Sequence, residues 1–268
     1  MKSLLRSLKH IVENALGIRI YKALPRGTDF IVDVKRIAGF GDAATLNIFD
    51  VGANIGQSAI PFAKAFKRSN LYCFEPGAQA YAELHEKIST YRNIQVFQTA
   101  VGSKKGTVKL QLDLVSTRNH IVSAMDTSKI AEVVNITTLD EFCDEFSIDC
   151  IDILKIDTEG HDFEVLKGAT KLFSDGKVGI IYAEVGLHPT NDTHVDLAIV
   201  KNHMESFGYF VYGIYEQKHE WKLRHPYLRR INIAFISPTI AAYDASDDHL
   251  KSKLQSRPQQ AHALKTDG

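Results

Sequence analysis

The chain has 268 residues, enough for one large α/β domain with extensions, and 32 basic residues balance 32 acidic ones. A net charge of zero argues against a broad nucleic-acid-binding face. Cys73, Cys143 and Cys150 stand apart in apolar runs without C-x-x-C or Cys/His spacing, so they read as reduced thiols in a cytoplasmic protein rather than as a disulfide or zinc framework.

Residues 1–45 form an N-terminal helical extension. Leu4, Leu8, Ile11 and Ala15 share one helical face, with Lys2, Arg6 and Lys9 largely outside it. Charges interrupt the apolar run too often for a signal-peptide core or a transmembrane span. A basic amphipathic helix of this kind either packs on its own domain or makes peripheral contact with an anionic membrane. Pro25 and Gly27 end it, and residues 30–37 suggest another short helix.

The main domain is expected over 46–240. Residues 47–51 are a short apolar strand containing Asp50. Gly52 and Gly56 bracket a tight turn, residues 57–66 are spaced like a helix, and residues 71–74 are a second apolar strand ending on Glu75. Strand, glycine turn, helix, strand and terminal acid describe a nucleotide-type site at the carboxyl edge of a parallel sheet. A dinucleotide site needs G-x-G-x-x-G to hold a pyrophosphate at a helix N-terminus. Here Asn54 replaces the middle glycine, and Asp50 would repel a diphosphate but attract a cation. S-adenosylmethionine carries a sulfonium and an ammonium and no phosphate, so the turn favours a methyltransferase over a dehydrogenase. Pro61 inside the helix requires a late start or a kink, because an interior proline costs about 3 kcal/mol.

A helix over 77–91 and a strand over 94–98 continue the α/β rhythm, which then breaks in an insertion at about 100–135. There, residues 106–114 alternate like a hairpin strand. Residues 116–129 are polar and without period, the kind of segment that carries substrate contacts. A strand over 133–137 and a helix over 139–146 follow. Residues 151–156 are a buried strand with the polar exit Asp157-Thr158-Glu159-Gly160, and residues 163–173 an amphipathic helix. Strand five spans 178–185, a helix 194–207, strand six 209–214 and a final strand 232–237. The last two have no helix between them and should pair antiparallel. KHEWK and HPYLRR, between them, mix aromatic and basic residues. Residues 241–268 read as a flexible tail.

The motifs DVGANIGQ (50–57), FEP (74–76), ITTLDEF (136–142) and above all LKIDTEGHDFEVLKGA (154–169) make the chain similar to the FkbM family of S-adenosylmethionine-dependent methyltransferases. The resemblance covers about 47–237. It implies a Rossmann-like, seven-stranded class I methyltransferase sheet, mostly parallel with the last strand antiparallel and helices on both faces. It also implies S-adenosyl-L-methionine as the methyl donor and O-methylation, often of sugar hydroxyls.

The expected donor-binding set is Asp50, Gly52, Asn54, Gly56, Glu75, Pro76, Ala100, Asp157 and Glu159. An alcohol oxygen attacks a methyl group only as its proton leaves, which calls for a base. His161 is the first candidate, since a histidine titrates near working pH. Asp157, Lys155, Glu184 and His188 complete the catalytic candidates. Asp157 and Glu159 could instead cap the following helix. No metal is assigned, although oxygen ligands from Asp157, Glu159 and Glu184 would suit magnesium. The acceptor is expected to be a small molecule or glycan. The alternatives are a ribose 2′-hydroxyl methyltransferase using Lys155, Asp157 and Glu184, and a non-catalytic cofactor-binding module.

Overall fold

A computed structural model describes residues 2–37, 39–111, 120–121, 131–189, 191, 193–219 and 227–244, with only the backbone of 2–8, 120, 121, 131, 243 and 244. All of 116–129 except 120–121, the stretch 220–226 with Trp221, and the tail beyond 244 therefore fall outside the described residues.

Two helices, α1 (Lys2–Leu16) and α2 (Phe30–Val34), precede the sheet. Then come β1 (Asn47–Val51), α3 (Ala59–Ala65), β2 (Asn70–Phe74), α4 (Ala78–Ile88) and β3 (Ile94–Phe97). Starting α3 at Ala59 resolves the Pro61 conflict: proline falls in the first turn, where its missing N–H has no intrahelical partner to lose. The insertion holds β4 (Ala100–Val101), β5 (Gly106–Gln111), β6 (His120–Ile121) and β7 (Ala131–Thr137), a separate four-stranded sheet. In it β5 pairs antiparallel with β7.

After α5 (Leu139–Glu145) and β8 (Ile151–Ile156), the single helix expected over 163–173 is two, α6 (Asp162–Lys167) and α7 (Thr170–Ser174). The break has a packing cause. A Cβ on Gly168 would lie 2.0 Å from the Gly102 carbonyl oxygen, so backbone meets backbone there. The Asp140 carboxylate then accepts from the Lys171 and Leu172 amides and caps α7. β9 (Val178–Gly186), α8 (Leu197–Ser206), β10 (Phe210–His219), β11 (Leu228–Ile236) and α9 (Pro238–Asp244) complete the chain. α9 was not expected, and it crosses the anticipated start of the tail at 241 with Ile240 and Ala241 packed on the core.

The main sheet has the order β10-β11-β9-β8-β1-β2-β3. β11 lies antiparallel between β9 and β10, and the other described pairings are parallel. Period-two alternation gives each face its own core. Phe49, Val51, Phe74, Leu154, Ile156 and Ile181 face α5–α8, where Phe142 packs edge-on against Phe49, Phe74 and Phe97. Ile48, Leu71, Cys73, Ile153 and Ile180 face α2–α4. On that second face the apolar register turns polar at the carboxyl ends, with Asp50 beside Lys155 and Lys155 beside Tyr182.

Candidate active site

The carboxyl ends of the strands open into a cavity of about 620 Å³. At its β1–β2 side the turn after β1 is shaped by backbone. Gly52 has φ of 77°, and a Cβ there would lie 1.9 Å from the Asp157 carbonyl oxygen, so only glycine lets the ends of β1 and β8 meet. The Gly52 and Ala53 amides both donate to the Phe74 carbonyl, and Asn54 turns left-handed at φ of 47°. These bends aim the Asn54 amide at Glu75 Oε2, 2.9 Å away, while the Gly77 amide reaches Oε1 at 2.9 Å. Glu75 is only 6 % exposed; burial holds its carboxyl above the ordinary range, although the two amides and the Lys155 charge pull against that.

Lys155 at the end of β8 has its ammonium 3.0 Å from Asp50 Oδ1 and 3.7 Å from Asp157 Oδ2, and it donates to the Gly52 carbonyl. Burial works against its charge, but Asp50, Asp157 and Asp162 outweigh that and hold the lysine above its ordinary range. Asp50 is fully buried, accepts from the Ser58 hydroxyl and does not line the cavity. Its expected attraction for a ligand cation is thus directed to Lys155, 105 positions along the chain.

The exit from β8 is organised by Asp162, a residue with no role among the expected site residues. Its buried carboxylate accepts from the Thr158 amide and hydroxyl and from the Gly160 amide. Burial, with Asp157 nearby, raises its pKa to about 6. The N-cap position of α6 is His161, with no side-chain cap bond, so neither Asp157 nor Glu159 caps that helix. Both line the cavity, as do Lys155, Gly52, Asn54, Pro76 and Ala100. Gly56 does not; it packs against Leu84 and Ile60.

His161, the first candidate for the base, is not on the cavity wall. Its ring faces Gly102, where a methyl group would lie 2.8 Å from Nε2. That nitrogen is buried with no hydrogen-bond partner among the described residues. Burial lowers its pKa, so the ring is held neutral. Glu184 is also drawn away. Its carboxylate meets His194 Nε2 at 2.6 Å and pairs with Arg230. Burial raises its pKa, but His194 and Arg230 bring it below the ordinary carboxylate range. His188 stacks on Tyr227, centroids 4.3 Å apart. The set Lys155, Asp157 and Glu184 required for a ribose methyltransferase is therefore not assembled. Among the described residues no group of three or more His, Cys, Asp or Glu is placed to hold a metal.

The wall also includes residues no motif marked: Thr28, Asp29 and Phe30 from the N-terminal segment, Tyr182 on β9, Tyr215 and Glu216 on β10, and Asn232 on β11. The register Lys155↔Tyr182↔Ala234, with Asn232 two positions from Ala234, could have located two of them once the strand order was known.

Among the described residues the β1–β2–β8 side of the lining carries the carboxylates Glu75, Asp157 and Glu159 against one ammonium, Lys155, already paired with Asp50. Such a surface suits a cationic sulfonium ligand and disfavours a diphosphate. Residues 50–211 match the profile of the methyltransferase FkbM domain. The chain belongs to the FkbM methyltransferase family. It is an S-adenosylmethionine-dependent methyltransferase.

Two relatives of this FkbM protein are the 2-O-methyltransferase NoeI of Sinorhizobium fredii and the hexuronic acid methyltransferase AglP of Haloferax volcanii. NoeI is 23% identical over 60% of this chain and 71% of its own length. AglP is 24% identical over 54% of this chain, which spans 59% of that protein's length. Among solved structures, precorrin-6y C5,15-methyltransferase of Geobacter metallireducens aligns over 72% of this chain and 81% of its own, at 13% identity and a TM-score of 0.41. Aeropyrum pernix fibrillarin with natively bound S-adenosyl-L-methionine aligns over 71% and 66%, at 10% identity and 0.40. Likenesses this distant add nothing to the topology already described. Among the described residues no helix is long and apolar enough to cross a membrane.

Proposed function

We propose that the protein transfers a methyl group from S-adenosylmethionine to a hydroxyl oxygen of a glycan or small hydroxylated metabolite. The observation that carries this reading is a cavity along the strand ends, with Glu75 on its β2 side and Asp157 near its middle. The names of the two relatives, one a 2-O-methyltransferase and one acting on a hexuronic acid, support a sugar-type acceptor. The three cysteines without disulfides fit a cytoplasmic enzyme, and the basic helix α1 provides for peripheral contact with an anionic membrane.

When bound, the donor supplies an electrophilic methyl carbon. The chain's own task is alignment and proton removal. Glu75, held by the Asn54 and Gly77 amides, is oriented to accept from ribose hydroxyls. Asp157, about half exposed into the cavity and steadied by Lys155, is the base we assign in place of His161. With the donor held at Glu75, Asp157 would take the hydroxyl proton of the acceptor whose oxygen receives the methyl group.

The test is calorimetric titration with S-adenosylhomocysteine, followed by methyl transfer with Asp157→Asn. Micromolar binding is expected, with turnover in the variant lowered by about 10²-fold and donor affinity nearly intact. No binding by folded protein would remove the donor site. Full activity in the variant would move the base elsewhere.

A further inference from the structure

The cavity extends past the residues assigned to the donor. Glu75 on β2, Gly52 after β1 and Asp157 after β8 account for one side of it. From β2 to β10 there are five strand steps of about 4.8 Å, roughly 24 Å of edge, and the ends of β9, β11 and β10 lie beyond the donor residues. This second half has a different chemistry. Phe30 and Tyr182 stack with ring centroids 4.2 Å apart, and Tyr215 meets both edge-on. The Tyr182 hydroxyl donates to Glu216 Oε1 at 3.4 Å, and Asn232 also bonds Tyr182.

Glu216 sits where the β10–β11 register shifts between Tyr215 and Lys218, with φ of 44°. A non-glycine residue held left-handed in a bulge is a local cost that re-aims a side chain, here onto the cavity wall. The N-terminal segment closes the same half. Buried Asp33 accepts from the Gly27 amide, Arg36 and the Tyr215 hydroxyl, which pins Asp29 and Phe30 over the strand ends.

We propose that this half is the acceptor subsite, and that it selects a polyhydroxylated acceptor carrying no negative charge. The inference rests on the methyltransferase reading above and narrows its acceptor. Aromatic edges offer apolar contact to a sugar ring, while Glu216, Asp29 and Asn232 accept from its hydroxyls. No cation among the described lining residues of this half could balance a uronate or a phosphate, which would face Glu216 and Asp29 as like charges. A neutral or amine-bearing sugar meets no such repulsion.

The experiment is saturation-transfer NMR on the full chain with S-adenosylhomocysteine bound. Its probes are the methyl glycosides of glucose, glucosamine and glucuronic acid, and glucose 6-phosphate. Glucose and glucosamine should bind, the two anions at least tenfold more weakly, and Glu216→Lys should remove or invert that preference. Donor affinity, followed by calorimetry, should stay within about twofold in Glu216→Lys, because Glu216 stands on the far side of the cavity. Equal or stronger binding of the anions by the unaltered protein would overturn the charge selection. Absence of all sugar binding with the donor product still bound would overturn the subsite itself. Loss of donor-product binding in the unaltered protein would instead remove the methyltransferase site on which the inference rests.

Discussion

The two halves of the cavity are built by different means. On the β1–β2–β8 side, backbone does the work: a glycine with no room for a Cβ, a left-handed Asn54, and two amides on one carboxylate. On the β9–β11–β10 side the wall is side chains, brought from residues 28–30, 182, 215–216 and 232. Backbone geometry tolerates almost no substitution, whereas a wall of side chains can be exchanged one residue at a time. A scaffold that keeps the donor and varies the acceptor would be divided in this way.

Gly52→Ala should produce the largest effect. The new methyl would collide with the Asp157 carbonyl at 1.9 Å, and a positive φ adds a further penalty for alanine. Backbone strain alone is worth about 1–3 kcal/mol. Because β1 and β8 must part to relieve the clash, donor binding should disappear and the thermal midpoint should fall together. Near-normal affinity in calorimetry would show that the donor half is as adaptable as the other, and would break the contrast.

Glu75→Ala comes next. It removes a charged acceptor but leaves the turn's glycines in place, so the protein should fold while its affinity for S-adenosylhomocysteine drops by about 1.5–3 kcal/mol. The Asn54 and Gly77 amides lose their partner as well. Unchanged affinity would take Glu75 out of the donor site and leave it a purely structural clamp on the turn.

The same division explains what could be read in the sequence. β8 spans the residues expected, because the apolar positions Ile151, Ile153, Leu154 and Ile156 run directly into the polar exit Asp157-Thr158-Glu159-Gly160. The donor half was legible because glycines and terminal acids lie within one short β-α-β unit. The ion pair of Asp50 could not be read locally, because its partner, Lys155, is a neighbour only through the β1–β8 pairing. His161 has the residue type of a base, but Gly102 and Ile136 close around it from the insertion, a contact no local pattern announces. The break at Gly168 follows from backbone meeting Gly102, whereas the extension of β10 to His219 was hidden because an edge strand so polar does not alternate visibly. The acceptor half, drawn from four distant segments, left no motif at all.

The smallest effect expected concerns the turn where the halves meet. Asp162 holds Thr158 and Gly160 and thereby sets Asp157 and Glu159 on the wall. Its folded pKa of about 6 exceeds the value of about 3.9 for an unfolded aspartate. Between those values the folded protein binds more protons than the unfolded chain, so this group's contribution to stability is full below about pH 4 and is lost as pH rises through about 6. This group's own contribution falls by roughly 3 kcal/mol, which depressed groups such as Glu164 and Glu184 oppose, so the net change is smaller. Subtracting the unfolding free energies of Asp162→Asn from those of the wild type across pH 4–7 cancels the other groups. The difference should fall in the variant's favour as pH rises. A flat difference would mean that Asp162 stays ionised throughout, and that the turn joining the two halves is open to water rather than sealed by a buried carboxyl.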